Sequence, residues 1–171
     1  MISVAIIHCP RSVDRRENLR LLLDQLPDAS VIEDSGNGDA VGKRLHRRGC
    51  WPIARRAWSA FDPSARWHLV LEDDALLCSG FAETLRGVLD GSASACVSLF
   101  HGARDCSVAT VMPTPIIPGW ISWADSDRYG ARHLPHHDYL ITQGMRDLGV
   151  RLRHVRRGWG RRAWGPCSGS H

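Results

Sequence analysis

Three carboxylates stand side by side at Glu72, Asp73 and Asp74, directly after the apolar run Leu69-Val70-Leu71. Neighbouring acids repel one another, so the cluster is stable only beside a cation, a positive side chain or water. An all-oxygen donor set suits a hard ion, Mg²⁺ or Mn²⁺, which keeps several waters and shares its sphere with substrate phosphates. If the run is a strand of an open parallel sheet, the acids lie just beyond its carboxyl end, where such sheets bind ligands. The plainer role for one or two of them is to cap the helix that follows.

The elements that must hold these acids follow from the hydrophobic pattern. Ile2 to Ile7 is a continuous apolar, β-branched run and predicts a buried strand. A helix begins near Ser12 or Asp14, with Glu17 placed as in a capping box, and Leu19, Leu22, Leu23 and Leu26 form its apolar stripe. Pro27-Asp28 ends it, Ala29 to Glu33 is a second strand, and residues 34–39 form a loop. A basic stretch, 43–50, leads to a helix expected to start at Pro52, with Ala54, Trp58 and Phe61 on one face. After the acidic strand, Phe81, Leu85, Val88 and Leu89 mark another helix, and Ala95 to Phe100 a fourth strand. This alternation is that of a mainly parallel sheet flanked by helices, an α/β fold. Between 101 and 137, Val108–Met112 and Trp120–Ala124 read as short strands. A helix opens at Asp138, carries Ile141, Met145 and Leu148, and closes at Gly149, with a last strand over Val150–Val155.

The 171 residues fit one domain with a core of its own, and residues 156–171 read as a basic, irregular and mobile C-terminal segment. The first residues lack the charged leader of a secretory signal, and no apolar run reaches the length of a membrane span. The six cysteines, at 9, 50, 78, 96, 106 and 167, show no Cys-x-x-Cys spacing. They read as scattered, mostly buried thiols, which argues against zinc and for a reducing cytoplasm. The formal charge of +4 is modest but uneven, with Arg151, Arg153, Arg156, Arg157, Arg161 and Arg162 crowding the end. Such a segment suits an anionic partner, whether nucleotide phosphates, nucleic acid or an acidic glycan, or is simply a solvated basic edge.

Four stretches together resemble the glycosyltransferases of the Rossmann-like GT-A fold, most closely the family 25 group of lipopolysaccharide and collagen sugar transferases. They are Ile6-Ile7-His8-Cys9-Pro10-Arg11-Ser12 with Arg15 and Arg16; Gly49-Cys50 with Arg56-Ala57-Trp58; Leu71-Glu72-Asp73-Asp74-Ala75 followed by Phe81; and His137-Asp138-Tyr139-Leu140. Order and spacing agree over roughly residues 2–145. The segment between Phe100 and Pro135 carries no part of the likeness.

The resemblance implies a nucleoside-diphosphate-sugar donor, a hydroxyl acceptor and a Mn²⁺ or Mg²⁺ ion held by Asp74 with Glu72 or Asp73. A late histidine often completes such a site, which makes His154 a candidate ligand. Pro10, Arg11, Arg15, Arg16, Asp34 and Asp73 are then placed toward the donor nucleotide, and Asp138 toward the acceptor as the general base of an inverting transfer. As a helix cap Asp138 is equally well placed in the sequence. Trp120, Trp123 and His137 are candidates for the acceptor side, since tryptophan offers a flat face with a polar edge. Other classes fit the same residues: a different Mg²⁺-dependent α/β phosphotransferase, or a degenerate transferase fold holding nucleic acid through the arginine-rich end. The chain has no Gly-x-x-x-x-Gly-Lys loop, which argues against an ordinary P-loop enzyme.

Overall fold

A computed structural model describes residues 1–10, 13–34, 42–92, 94–99, 109–126 and 137–155, with the backbone alone at 42–50 and 137–139. The described chain runs β1 (Ile2–His8), α1 (Val13–Gln25), β2 (Ser30–Glu33), α2 (Gly42–Ser59), β3 (Trp67–Glu72), α3 (Phe81–Asp90), β4 (Cys96–Ser98), β5 (Ala109–Pro113), a 3-10 turn (Thr114–Ile116), α4 (Ile117–Asp125), α5 (His137–Asp147) and β6 (Leu152–His154). The six strands form one sheet in the order β2-β1-β3-β5-β4-β6. β1 pairs in parallel with β2 and β3, and β4 with β6, while β5 is antiparallel to both β3 and β4. The sheet is therefore mainly parallel, with one reversed strand at its centre. The fold is an α/β sandwich with helices on both faces.

Strand alternation divides the core in two. Ala5, Val70, Cys96 and Met112 point to one side, where they meet Trp51, Ala54 and Trp58 of α2, Trp120 of α4 and Met145 of α5. Ile6, Leu69, Leu71, Val97 and Val111 point to the other, against Leu22 of α1 and Phe81, Leu85 and Leu89 of α3. β3 is buried from Trp67 to Leu71, as a strand covered on both faces must be. The expected stripe on α1 is present, with Leu22 buried and Leu19, Leu23 and Leu26 packed partly against the core.

Several elements depart from the sequence reading. Trp120–Ala124, expected as a strand, lies inside α4. Pro118 in the first turn sets the backbone for that helix, and Trp120 and Ala124, four apart, share its buried face. Trp120 meets Trp51 at 5.3 Å and Trp58 at 5.2 Å between ring centroids, both edge to face. Pro52, expected to open its helix, sits inside α2, which begins ten residues earlier at Gly42. Glu17 pairs with Arg20 at 2.9 Å instead of reaching back to the start of α1. Among the described cysteines only Cys96 is buried, its thiol pushed up to about 12 by desolvation, while Cys9 and Cys78 are half-buried. The thiols are less hidden than expected.

Gly144 explains how α4 and α5 pack so closely. A Cβ there would lie 2.7 Å from Nε1 of Trp120 and 2.9 Å from Cε3 of Trp123. His68, on the same side of the sheet, is fully buried between Ala57 and Ser3. Its Nε2–H donates to the Ala57 carbonyl at 2.9 Å, so Nδ1 accepts from the Ser3 hydroxyl at 2.9 Å. Burial lowers its pKa from the ordinary 6.5, against the raising effect of those hydrogen bonds.

Candidate active site

The carboxyl ends of β1, β2 and β3 lie side by side, so one rim of the sheet carries His8, Glu33 and Glu72 in neighbouring registers. Backbone bonds tie the rim together: Asp34 N–H donates to the His8 carbonyl at 2.8 Å, and Asp73 N–H to that of Ile7 at 3.0 Å. Strand alternation then sorts adjacent acids to opposite sides. Glu72 follows Val70 toward the α2, α4 and α5 layer, and Asp73 turns toward α1.

The three acids have three different environments. Asp73 is wholly buried, and each of its oxygens accepts an internal donor. Oδ1 takes Nη1 of Arg15 at 2.6 Å, and Oδ2 takes both the Cys9 N–H at 2.7 Å and Nδ1 of His8 at 2.8 Å. A carboxylate bonded this way only accepts, which places a hydrogen on Nδ1 of His8. Asn18 completes the knot from α1, its amide donating to the Asp73 carbonyl at 2.6 Å and to that of Ala75 at 2.9 Å. Asp74 is 43 % exposed and accepts from Nη2 of Arg15 at 3.1 Å. Glu72 is half-buried at the last position of β3. Arg15 therefore bridges two adjacent acids and supplies the positive charge that the cluster demands. Desolvation works to lower its pKa, but the charges of Asp73 and Asp74 and the hydrogen bond to Asp73 together raise it above its ordinary value.

Asp73, expected to face the donor, is thus turned inward. It is an organiser of the β1–α1 turn, because burial leaves it no surface on which to meet a ligand. Arg16 donates to the Pro10 carbonyl at 2.8 Å and closes that same turn. Trp120, expected on the acceptor side, is 0 % exposed within the tryptophan cluster and cannot stack on a sugar. Trp123 is half-buried, its indole N–H donating to Asp147 at 3.1 Å. His154 is exposed on the outer strand β6, in register with Ser98. Three strand spacings, about 14 Å, separate β6 from β3, too far to share an ion with Glu72 and Asp74. Among the described residues no three His, Cys, Asp or Glu side chains converge to hold a metal ion.

The late motif has its backbone placed. A short turn, 148–151, joins α5 to β6, and Val150 N–H bonds the Met145 carbonyl. The helix therefore runs back against the strand and opens at the same rim, with His137 and Asp138 in its first turn. The side chains of both, together with Arg11 and residues 156–171, lie outside the described residues. A shallow groove between α2 and α4, lined by Arg55, Phe61, Ile121 and Asp125, includes no rim residue. No described helix is long and apolar enough to cross a membrane.

Asn18 and the structural role of His8 were not apparent from the sequence. Asn18 left a trace, since asparagine is disfavoured in a helix interior unless its amide has a fixed partner.

No protein-family profile and no curated protein matches the chain. Solved structures do. A glycosyltransferase involved in glycosylation of the major capsid of PBCV-1 superposes with a TM-score of 0.59 at 12 % identity, over 95 % of this chain and 88 % of that one. The fold is the GT-A fold. Drosophila β-1,4-galactosyltransferase 7, crystallised with manganese, UDP-Gal and xylobiose, gives a TM-score of 0.50 at 12 % identity. That match covers 91 % of this chain and 66 % of the galactosyltransferase.

Proposed function

We propose that the chain transfers a sugar from a nucleoside-diphosphate donor to a hydroxyl acceptor at the rim of this GT-A sheet. One observation supports the reading above others: the solvent-reaching Asp74 sits just past the carboxyl end of β3, beside the β1–α1 turn. In open α/β sheets that crevice is where ligands bind.

Glu72 and Asp74 offer only oxygen donors, and Asp74 reaches solvent, a set that fits a hard divalent ion such as Mn²⁺ or Mg²⁺. Asp73 does not fit as a ligand, because its oxygens are already engaged. Bound there, the ion would supply Lewis-acid stabilisation of charge on the departing diphosphate.

The chain's own residues do the rest. The β1–α1 turn, fixed by Asp73 and Asn18, presents the Arg15 guanidinium beside Asp74, a preorganised positive charge for an anionic donor. Arg16 of α1 and Arg11, which precedes that helix in the sequence, add to that charge. Asp34, held at the end of β2 by its bond to His8, accepts from ribose or base. Asp138, in the first turn of α5, takes the proton of the acceptor hydroxyl. The acceptor oxygen then forms its bond to the anomeric carbon as the bond to the diphosphate breaks on the opposite face, inverting that carbon. His137, in the first turn of α5, stands on the acceptor side, whereas Trp123, bonded to Asp147 at the other end of that helix, is left out of the site. The kinship with family 25 belongs to this same reading.

Calorimetry of UDP, GDP, CDP and dTDP, each with and without Mn²⁺, tests it. One nucleotide should bind in a Mn²⁺-dependent way, and Asp74→Asn should abolish the dependence. Failure of all four to bind would refute the donor site.

A further inference from the structure

Arg15 is fastened at one end and exchangeable at the other. Nη1 lies 2.6 Å from a carboxylate that is 1 % exposed, whereas Nη2 lies 3.1 Å from one that is 43 % exposed. Asp73 cannot turn away, because Cys9 N–H and His8 hold its second oxygen. The arm on Asp74 is a solvent-screened pair, which is weak. A carboxylate already paired with a guanidinium is also a poor ligand for a second cation, since the two positive charges repel at close range.

We infer that Arg15 is a positioning residue that competes with a divalent ion for Asp74 and gives that carboxylate up when a nucleoside diphosphate arrives. A diphosphate oxygen offers Nη2 a charge-assisted partner better matched to the planar fork than a wet carboxylate, while Nη1 stays on Asp73. Nucleotide and ion are thereby coupled through one side chain, and each tightens the other by the same factor. The inference rests on the proposed donor site and adds to it an order of events: the ion binds poorly alone and well once the diphosphate has drawn the guanidinium aside.

Arg15→Lys isolates the effect, because it conserves charge but a single ammonium cannot bridge both acids. It should settle on the buried Asp73 and release Asp74. Electron paramagnetic resonance titration with Mn²⁺ alone, no nucleotide present, should show the variant binding about three- to tenfold tighter than the native protein. The urea midpoint of the variant checks that it is folded. A second measurement needs no variant. In metal-free native protein, the Arg15 Nε–H resonance should shift when the nucleoside diphosphate that binds is added.

Unchanged or weaker Mn²⁺ affinity in folded Arg15→Lys overturns the inference, as does an Arg15 resonance that does not move. If Mn²⁺ still binds with nucleotide in either of those cases, the proposed function stands and only the role of Arg15 falls. If neither protein binds Mn²⁺ or any of the four nucleotides, both fall together.

Discussion

Replacing Asp73 by asparagine should unfold the protein more readily than the same change one residue later, although Asp74 is the acid that faces solvent. The carboxylate of Asp73 accepts three hydrogen bonds, from Arg15 on one oxygen and from His8 and Cys9 on the other. An asparagine keeps one acceptor oxygen and gains two donors. If its oxygen stays with His8 and Cys9, its NH₂ points at Nη1 of Arg15, donor against donor at a site now 2.6 Å across. The lost charge-assisted bond costs about 1.5–3 kcal/mol, toward the lower figure because Arg15 is 37 % exposed and can turn to water. Weakening the two remaining bonds from charged to neutral acceptor adds about 1 kcal/mol, for a total near 3 kcal/mol. For a chain of this size that is a fall of about 6–12 °C in Tm. Asp74→Asn removes only a solvent-screened arm and should cost less than about 1 kcal/mol. Urea unfolding, followed by tryptophan fluorescence and compared at equal m-value, measures both. Equal costs, or a larger one for Asp74→Asn, would refute the division of labour between these two acids.

His68 makes stability depend on pH with a definite sign. Its folded pKa lies below 6.5, so between the two values the unfolded chain binds the extra proton and stability falls as pH drops below about 6.5. The slope from this group is at most about 1.4 kcal/mol per pH unit. His68→Gln should flatten the acid limb of a urea-midpoint profile while lowering stability at neutral pH, and parallel profiles would show that another group is responsible. Gly144→Ala should destabilise by about 1–2 kcal/mol, the gain in helix propensity being outweighed by a Cβ 2.7 Å from the Trp120 ring. Near-UV circular dichroism should report the displaced indole, and an unchanged spectrum with raised stability would contradict the packing. Asp138→Asn should leave nucleotide binding intact and cut transfer about 10²–10⁴-fold. Near-native transfer in a direct assay would remove it as the base.

Much of the sheet was readable because it rests on local runs. Ile2–Ile7 and Leu69–Leu71 are apolar without interruption, and the stripes on α1 and α3 repeat at helical spacing. Trp120–Ala124 misled because aromatic and β-branched residues favour strands, while the first-turn Pro118 was the local signal for a helix. The reversal of β5 left no local trace, since strand direction is decided by pairing with β3 and β4. The acid cluster could be located in the sequence but not resolved. Asp73 and Asp74 are told apart by partners at Ile7, His8, Cys9, Arg15 and Asn18, some sixty residues away.

The reversed strand has a consequence for how such a molecule can change. Leu99, just past β4, and Ala109, opening β5, meet through a 2.9 Å bond, and Ala109 also faces Leu71, next to the acids. Those two ends are fixed at one border of the sheet, so insertions and deletions in the sequence between them need not shift a strand.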